Sequence, residues 1–244
     1  MRKETLIHRS RSLDRDMRVM IYGRGGVPFL GFPTQDSPCT NYEDFGLVDQ
    51  LADYLDAERM QLFVVDTVDA ESWSLAGGDN EARAARQEQY HRYIVDEVVP
   101  LIRGINPSAL PRVMGISLGA NHAAVSFLRR PELFGGLMAL SGVYDADVFF
   151  GGWMNPVLYD NAPERFLPNM PADHPYIELY NLRQMIFCVG QGAWEDDGVR
   201  TLLYLQRVFH DKGIFAWCDF WGNDVNHDWP WWFKQARYFL PYLL

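Results

Sequence analysis

The sequence is poor in cysteine, in basic residues and in long apolar runs, and each shortage removes a class of protein. Its three cysteines, Cys39, Cys188 and Cys218, lie far apart without paired spacing, which argues against a disulfide framework or a zinc site. A reducing, cytoplasmic setting is the expectation. Lys and Arg number 22 against 32 Asp and Glu, giving a net charge of −10. That balance opposes contact with nucleic acid phosphates or anionic membrane surfaces and suits small or neutral ligands. No run of about 18 apolar residues occurs, so no membrane span is expected. The segment from Met1 to Ser12 contains no apolar stretch of signal-peptide length. Internal repeats and low-complexity tracts are also missing. Hydrophobic residues nevertheless make up 48% of 244 residues, enough for one folded domain spanning residues 1–244.

Short β-rich runs alternate with longer helical periods along the chain, as in parallel sheets covered by helices. Residues 18–22 and 27–32 read as strands joined by Gly23-Arg24-Gly25-Gly26, with a further edge strand over 5–13. A helical period over 44–57 leads into the apolar strand 60–65. A longer helix over 83–102 precedes strand 112–115, and a helix over 117–129 precedes strand 136–141. Residues 142–180 lose periodicity and fill with Pro, Asn, Asp and aromatics. A stretch of that length predicts a lid-like, irregular excursion. Strands over 185–189 and 215–221, with helices over 199–210 and 232–240, complete the pattern.

Gly115-Ile116-Ser117-Leu118-Gly119 matches the G-x-S-x-G elbow between a strand and a helix. A serine pushed out on so sharp a turn leaves no room for side chains at the flanking positions, hence the glycines. The helix beginning there aims N–H groups at negative charge near Ser117. His122, in that same helix, reads as a packing residue.

When a serine nucleophile sits on this fold, its partners follow in the order acid, then histidine after the last strand. His227 occupies that last slot, whereas His8 and His91 lie upstream of Ser117, and all four of His8, His91, His174 and His210 read as surface or capping residues. The acid belongs just after strand 185–189, where Glu195, Asp196 and Asp197 are adjacent. Asp197 is the candidate cap of the following helix. Asp196 and Glu195 both remain candidates for the acid, with a preference for Asp196.

With these residues assembled, the chain resembles the esterase D-like branch of the α/β-hydrolases, which includes S-formylglutathione hydrolases and mycolyltransferases. The resemblance is carried by the elbow with Ala120, by Leu140-Ser141-Gly142, and by His227-Asp228-Trp229-Pro230-Trp231-Trp232. Asp69-Ala70-Glu71-Ser72-Trp73 and Lys212-Gly213-Ile214 are similar to a group of short bacterial esterase-like proteins. It implies an α/β-hydrolase fold, a serine esterase acting on a small-molecule ester through an acyl-enzyme, and no metal or organic cofactor. The oxyanion loop would be Phe32-Pro33-Thr34-Gln35, its N–H from Thr34 or Gln35 joining that of Leu118; Pro33 has no N–H to offer. The acid region departs from the simple Gly-x-x-Asp turn of relatives.

Trp73, Tyr144 and Trp153 are candidates for a substrate pocket, with core packing as the competing role. Two other classes compete with hydrolysis: acyl transfer to an alcohol other than water, and a non-catalytic interaction module on a hydrolase fold. Assays with added alcohols separate the first, and a serine-directed probe separates the second. The natural ester, the acyl length and homo-oligomer formation are left open by the sequence.

Overall fold

An apolar run such as Met60–Val65 can form a strand only where both faces are covered. In the computed structural model, which describes residues 2–244, they are. The chain runs through β1 (Lys3–Ser10), β2 (Arg15–Tyr22), β3 (Val27–Phe32), the helical turns α1 (Asn41–Asp44), α2 (Leu47–Gln50) and α3 (Ala52–Asp56), then β4 (Met60–Val65) and α4 (Asn80–Arg92). It continues through α5 (Val99–Ile105), β5 (Arg112–Ile116), α6 (Leu118–Arg129) and β6 (Gly136–Leu140). Four short helices follow, α7 (Asp147–Phe150), α8 (Pro156–Asp160), α9 (Pro163–Asn169) and α10 (Pro175–Asn181). The chain closes with β7 (Gln184–Val189), α11 (Asp196–Lys212), β8 (Trp217–Phe220) and α12 (Trp229–Phe239).

Among the described residues the strands form one eight-stranded sheet in the order β1-β2-β4-β3-β5-β6-β7-β8. β1 and β2 are antiparallel to their neighbours, and the pairings from β4 across to β8 are parallel. This is an α/β-hydrolase architecture. Successive residues of a strand point to opposite faces, and the core divides accordingly. Phe63, Val65, Leu137, Ala139 and Phe187 face α4, α5, α6 and α11. Leu62, Val64, Met138, Leu140 and Ile186 face α1 to α3 and α12.

Because β3 to β8 run in parallel, their C-terminal ends share one edge, and the loops leaving that edge meet there. Those loops carry Thr34 and Gln35, Asp69, Ser117, Ser141, Glu195 and His227. β2 and β3 are consecutive in the chain yet separated in the sheet by β4, so Gly23–Gly26 is a crossover and not a hairpin turn.

Two segments differ from the sequence expectation. In place of one helix over 44–57, residues 41–56 form three helical turns, interrupted at Gly46, whose φ is 90°. The excursion 142–180 is largely helical. Pro156, Pro163 and Pro175 each stand in the first turn of a helix, where proline's fixed φ and missing N–H do no harm. Each helix is too short to display a full apolar period, so the prolines read as irregularity.

The excursion also buries an acid. Glu164 in the first turn of α9 is 7% exposed, and its Oε1 accepts the Ala146 N–H at 3.0 Å. Burial raises its pKa from 4.5 to about 7. A carboxyl raised on folding contributes full stability below its unfolded pKa and loses that contribution as pH climbs through the folded value. Glu164→Gln, which keeps an acceptor for Ala146, is therefore expected to raise the melting temperature by roughly 5 °C at pH 8 and to change it little at pH 4. An equal shift at both pH values would rule out this titration as the cause.

Candidate active site

Ser117 lies between β5 and α6 with φ 58° and ψ −126°, a conformation unfavourable for a residue with a Cβ. The surroundings hold it there: its N–H donates to Leu140 O at 2.9 Å, and its carbonyl accepts from Ala120 N at 2.9 Å. The glycines are explained by distance. A Cβ at Gly115 would lie 2.0 Å from Gly119 O, and one at Gly119 would lie 2.2 Å from both Phe32 O and Pro33 O. The elbow is thus pressed against the loop that leaves β3. Gly119→Ala is expected to destabilise the protein by about 1 to 3 kcal/mol through overpacking and to reduce activity in whatever remains folded, measured by denaturant unfolding and ester turnover. A stable, fully active variant would show that this approach is dispensable.

His227 sits in the loop between β8 and α12, its N–H donating to Ala193 O at 3.0 Å. Its Nε2 is 2.8 Å from Ser117 Oγ, and its Nδ1 is 3.1 Å from Glu195 Oε2. Glu195 is 1% exposed. Its other oxygen, Oε1, accepts from Ser141 Oγ at 2.6 Å and from Gly190 N–H at 3.4 Å. Ser141 Oγ in turn accepts from Trp232 Nε1 at 2.9 Å, and the Trp232 ring stands edge-on to His227 with centroids 4.9 Å apart. A buried carboxylate with both oxygens engaged can hold one imidazole orientation.

The preference for Asp196 as the acid is corrected here. Trp194 adopts φ 67°, and this left-handed residue turns the chain so that its own ring is 89% exposed while Glu195 points inward. Asp196 opens α11 and is exposed. Asp197 is not the cap: Glu195 occupies that position without a side-chain capping bond, and Asp197 pairs with Arg200 at 2.9 Å.

Of the two oxyanion-loop candidates, Thr34 is already committed, its N–H donating to Asn41 Oδ1 at 3.2 Å. The Gln35 N–H has no acceptor among the described residues. Leu118 is the first residue of α6, where a backbone N–H has no partner within the helix. The amides of Leu118 and Gln35 are thus both without an acceptor among the described residues.

The Esterase family model, described as "Putative esterase", matches residues 10–235. The chain belongs to the Esterase family. No curated protein matches it by sequence. Among solved structures it is similar to a ferulic acid esterase, with TM-score 0.76 and 12% identity over 99% of this chain and 97% of that one. It is also similar to an S-formylglutathione hydrolase from Agrobacterium tumefaciens, with TM-score 0.75 and 12% identity over 98% and 93% of the two chains. Mycobacterium tuberculosis MPT51 gives TM-score 0.69 and 16% identity over 100% and 98%. At such identities the likeness is one of fold.

Around the serine of this esterase, the excursion packs directly on the elbow. Leu118 clusters with Trp73, Ala146 and Phe150, and Phe149 and Trp153 pack against them. Arg83 locks the arrangement, donating to Trp73 O and Phe149 O at 2.9 Å each, with its guanidinium 4.2 Å above the Phe150 ring. Tyr144 is not part of this group, contrary to expectation. It is 1% exposed and packs on Phe187 in the core on the α11 side of the sheet. A cavity of about 590 Å³ lined by Gly213, Phe215 and Trp217 lies at the far end of α11 from Glu195, roughly 25 Å away along the helix. It belongs to no part of this site.

The other histidines divide. His174 caps α10 by accepting the Tyr176 N–H at 3.1 Å, and His210 is exposed. His91, expected at the surface, is 5% exposed, and burial lowers its pKa to about 3. No helix among the described residues is long and apolar enough to cross a membrane.

Proposed function

We propose that this esterase hydrolyses carboxylic esters through an acyl-enzyme on Ser117. The observation that carries the reading is the unbroken hydrogen-bonded series Ser117 Oγ to His227 Nε2 and His227 Nδ1 to Glu195 Oε2, at 2.8 and 3.1 Å, centred on a serine with strained backbone. His227 takes the hydroxyl proton as Ser117 attacks the ester carbonyl, then gives it to the departing alcohol. Water, deprotonated by the same ring, releases the acid. Glu195 fixes the tautomer that leaves Nε2 free to accept and stabilises the imidazolium that forms.

Charge develops on the former carbonyl oxygen, and the N–H groups of Leu118 and Gln35 face it. Removal of one such donor costs about 3 to 4 kcal/mol in other enzymes. The acyl portion lies toward half-buried Phe149 and Trp153, which pack over Leu118, while Trp73 and Phe150 are buried beneath them at 2% and 3% exposure. A flat or apolar acyl group suits that wall.

The test is labelling with a fluorophosphonate, which phosphonylates an activated serine with loss of fluoride, followed by mapping of the modified peptide and a panel of p-nitrophenyl esters of increasing acyl length. Modification at Ser117 with turnover of at least one ester supports the reading. An unlabelled, folded protein would end it and favour a non-catalytic module, while acyl transfer to added alcohols in preference to water would make the enzyme a transferase.

A further inference from the structure

Behind the loop that leaves β3 lies an acid–histidine pair that the reaction just described does not use. Asp69, in the turn after β4, and His122, one helical turn into α6, have side chains 0% and 1% exposed, with Asp69 Oδ1 2.6 Å from His122 Nε2. The imidazole is packed between Phe32, stacked at 6.0 Å, and Tyr90, edge-on at 5.1 Å. His122 Nδ1 has no partner, so the tautomer that satisfies the pair carries its proton on Nε2 and donates to Asp69. Packing alone does not call for such a pair, since buried ion-pairing groups can often be replaced by apolar residues without loss of stability.

The second oxygen of Asp69 supplies the reason. Asp69 Oδ2 accepts the backbone N–H of Asp36 at 3.2 Å. Asp36 has φ 56°, and its own carboxylate accepts from Ser74 Oγ. On the other side of Gln35, the Thr34 N–H is held by Asn41 Oδ1, a residue 2% exposed. The amides before and after Gln35 are thus both tied to buried side chains, and the amide between them alone is uncommitted. Asp69 also connects the two elements that bear the donors: one oxygen binds the Gln35 loop, and the other binds α6, whose first residue is Leu118.

We infer that Asp69 and His122 are positioning residues that set the spacing and direction of the Gln35 N–H relative to the Leu118 N–H, so that both converge on the oxyanion of the substrate. The inference rests on the serine reading above. Positioning of this kind acts on the transition state, in which the oxygen is charged, and hardly on the bound ester.

The experiment compares Asp69→Ala, Asp69→Asn and His122→Phe with the wild-type protein for kcat and KM on a short p-nitrophenyl ester, rate of fluorophosphonate labelling, and melting temperature. Asp69→Ala is expected to lower kcat on the order of 10- to 100-fold, with KM within about twofold and labelling slowed in parallel. Asp69→Asn keeps an acceptor for Asp36 and an amide donor to a flipped tautomer of His122, and should recover most of that loss. His122→Phe retains the ring between Phe32 and Tyr90 while leaving Asp69 Oδ1 unpaired, so it gives a second, independent reading should Asp69→Ala fail to fold. Folded variants with wild-type kcat and labelling rate, a loss confined to KM, or an Asp69→Asn variant no better than Asp69→Ala would overturn the inference. Absence of labelling at Ser117 in the wild-type protein would instead overturn the serine reading on which it rests.

Discussion

Ser117→Ala is expected to fold normally and to lose turnover of a short p-nitrophenyl ester by about 10⁴-fold or more. The backbone already holds this residue at φ 58°, and alanine tolerates that region about as poorly as serine, so the strain carries over and stability should hardly change. What disappears is the oxygen 2.8 Å from His227 Nε2. His227→Ala should cost nearly as much, and the double variant little more than either one, because residues acting as a unit lose their effect together. Steady-state kinetics with burst titration measures this. Near-wild-type turnover by either single variant would remove the serine mechanism.

The second large effect separates three neighbouring carboxylates. Glu195→Ala should reduce kcat on the order of 10³- to 10⁴-fold, in the range known for removal of the acid in other serine hydrolases, while Asp196→Ala and Asp197→Ala should stay within about threefold of wild type. Glu195→Ala also leaves the Ser141 hydroxyl, buried and donating at 2.6 Å, without its acceptor, at a cost of roughly 1 to 3 kcal/mol. Its melting temperature should therefore fall, whereas exposed Asp196 should be silent in that respect too. Glu195→Gln tests the charge apart from the volume: an amide can still meet Ser141, but its NH₂ group would favour the wrong tautomer of His227. A large loss in Asp196→Ala, with Glu195→Ala active, would reverse the assignment.

The contrast between Glu195 and Asp196 shows where reading along the chain runs out. All three carboxylates follow β7 and stand at the start of α11, which order of elements alone requires. Which one turns inward depends on the left-handed Trp194, a conformation no local propensity favours for tryptophan. The choice between Thr34 and Gln35 has the same character, because it depends on Asn41 capturing the Thr34 amide. Ser141 and Trp232 were visible only as parts of motifs. Their role depends on contacts across 54 and 91 residues of chain. Asp69 and His122 lie 53 residues apart, and nothing in either neighbourhood marks them as a pair.

Tyr144 illustrates the opposite limit. An aromatic residue at the start of a proline-rich segment suits a pocket wall and a core equally well, and only the path of the excursion over Phe187 decides between them. Trp73 and Trp153, from equally aromatic surroundings, end beside Leu118.

By itself the sequence determined what depends on short-range periodicity and on obligatory geometry. The buried strands and the main helices follow from period 2 and period 3.6 apolar patterns, the elbow from two glycines that leave no room for a Cβ, and the late position of His227 from the order in which the strands are laid down. The tertiary structure alone decided which carboxylate faces the histidine, which amide of the loop after β3 is left uncommitted, and that Asp69 joins α6 to the loop of Gln35. These are properties of distance between segments far apart in the chain. A hydrogen bond forms only where donor and acceptor come within about 3 Å, and that closeness arises from the packing of the whole sheet edge, not from any residue's neighbours in sequence.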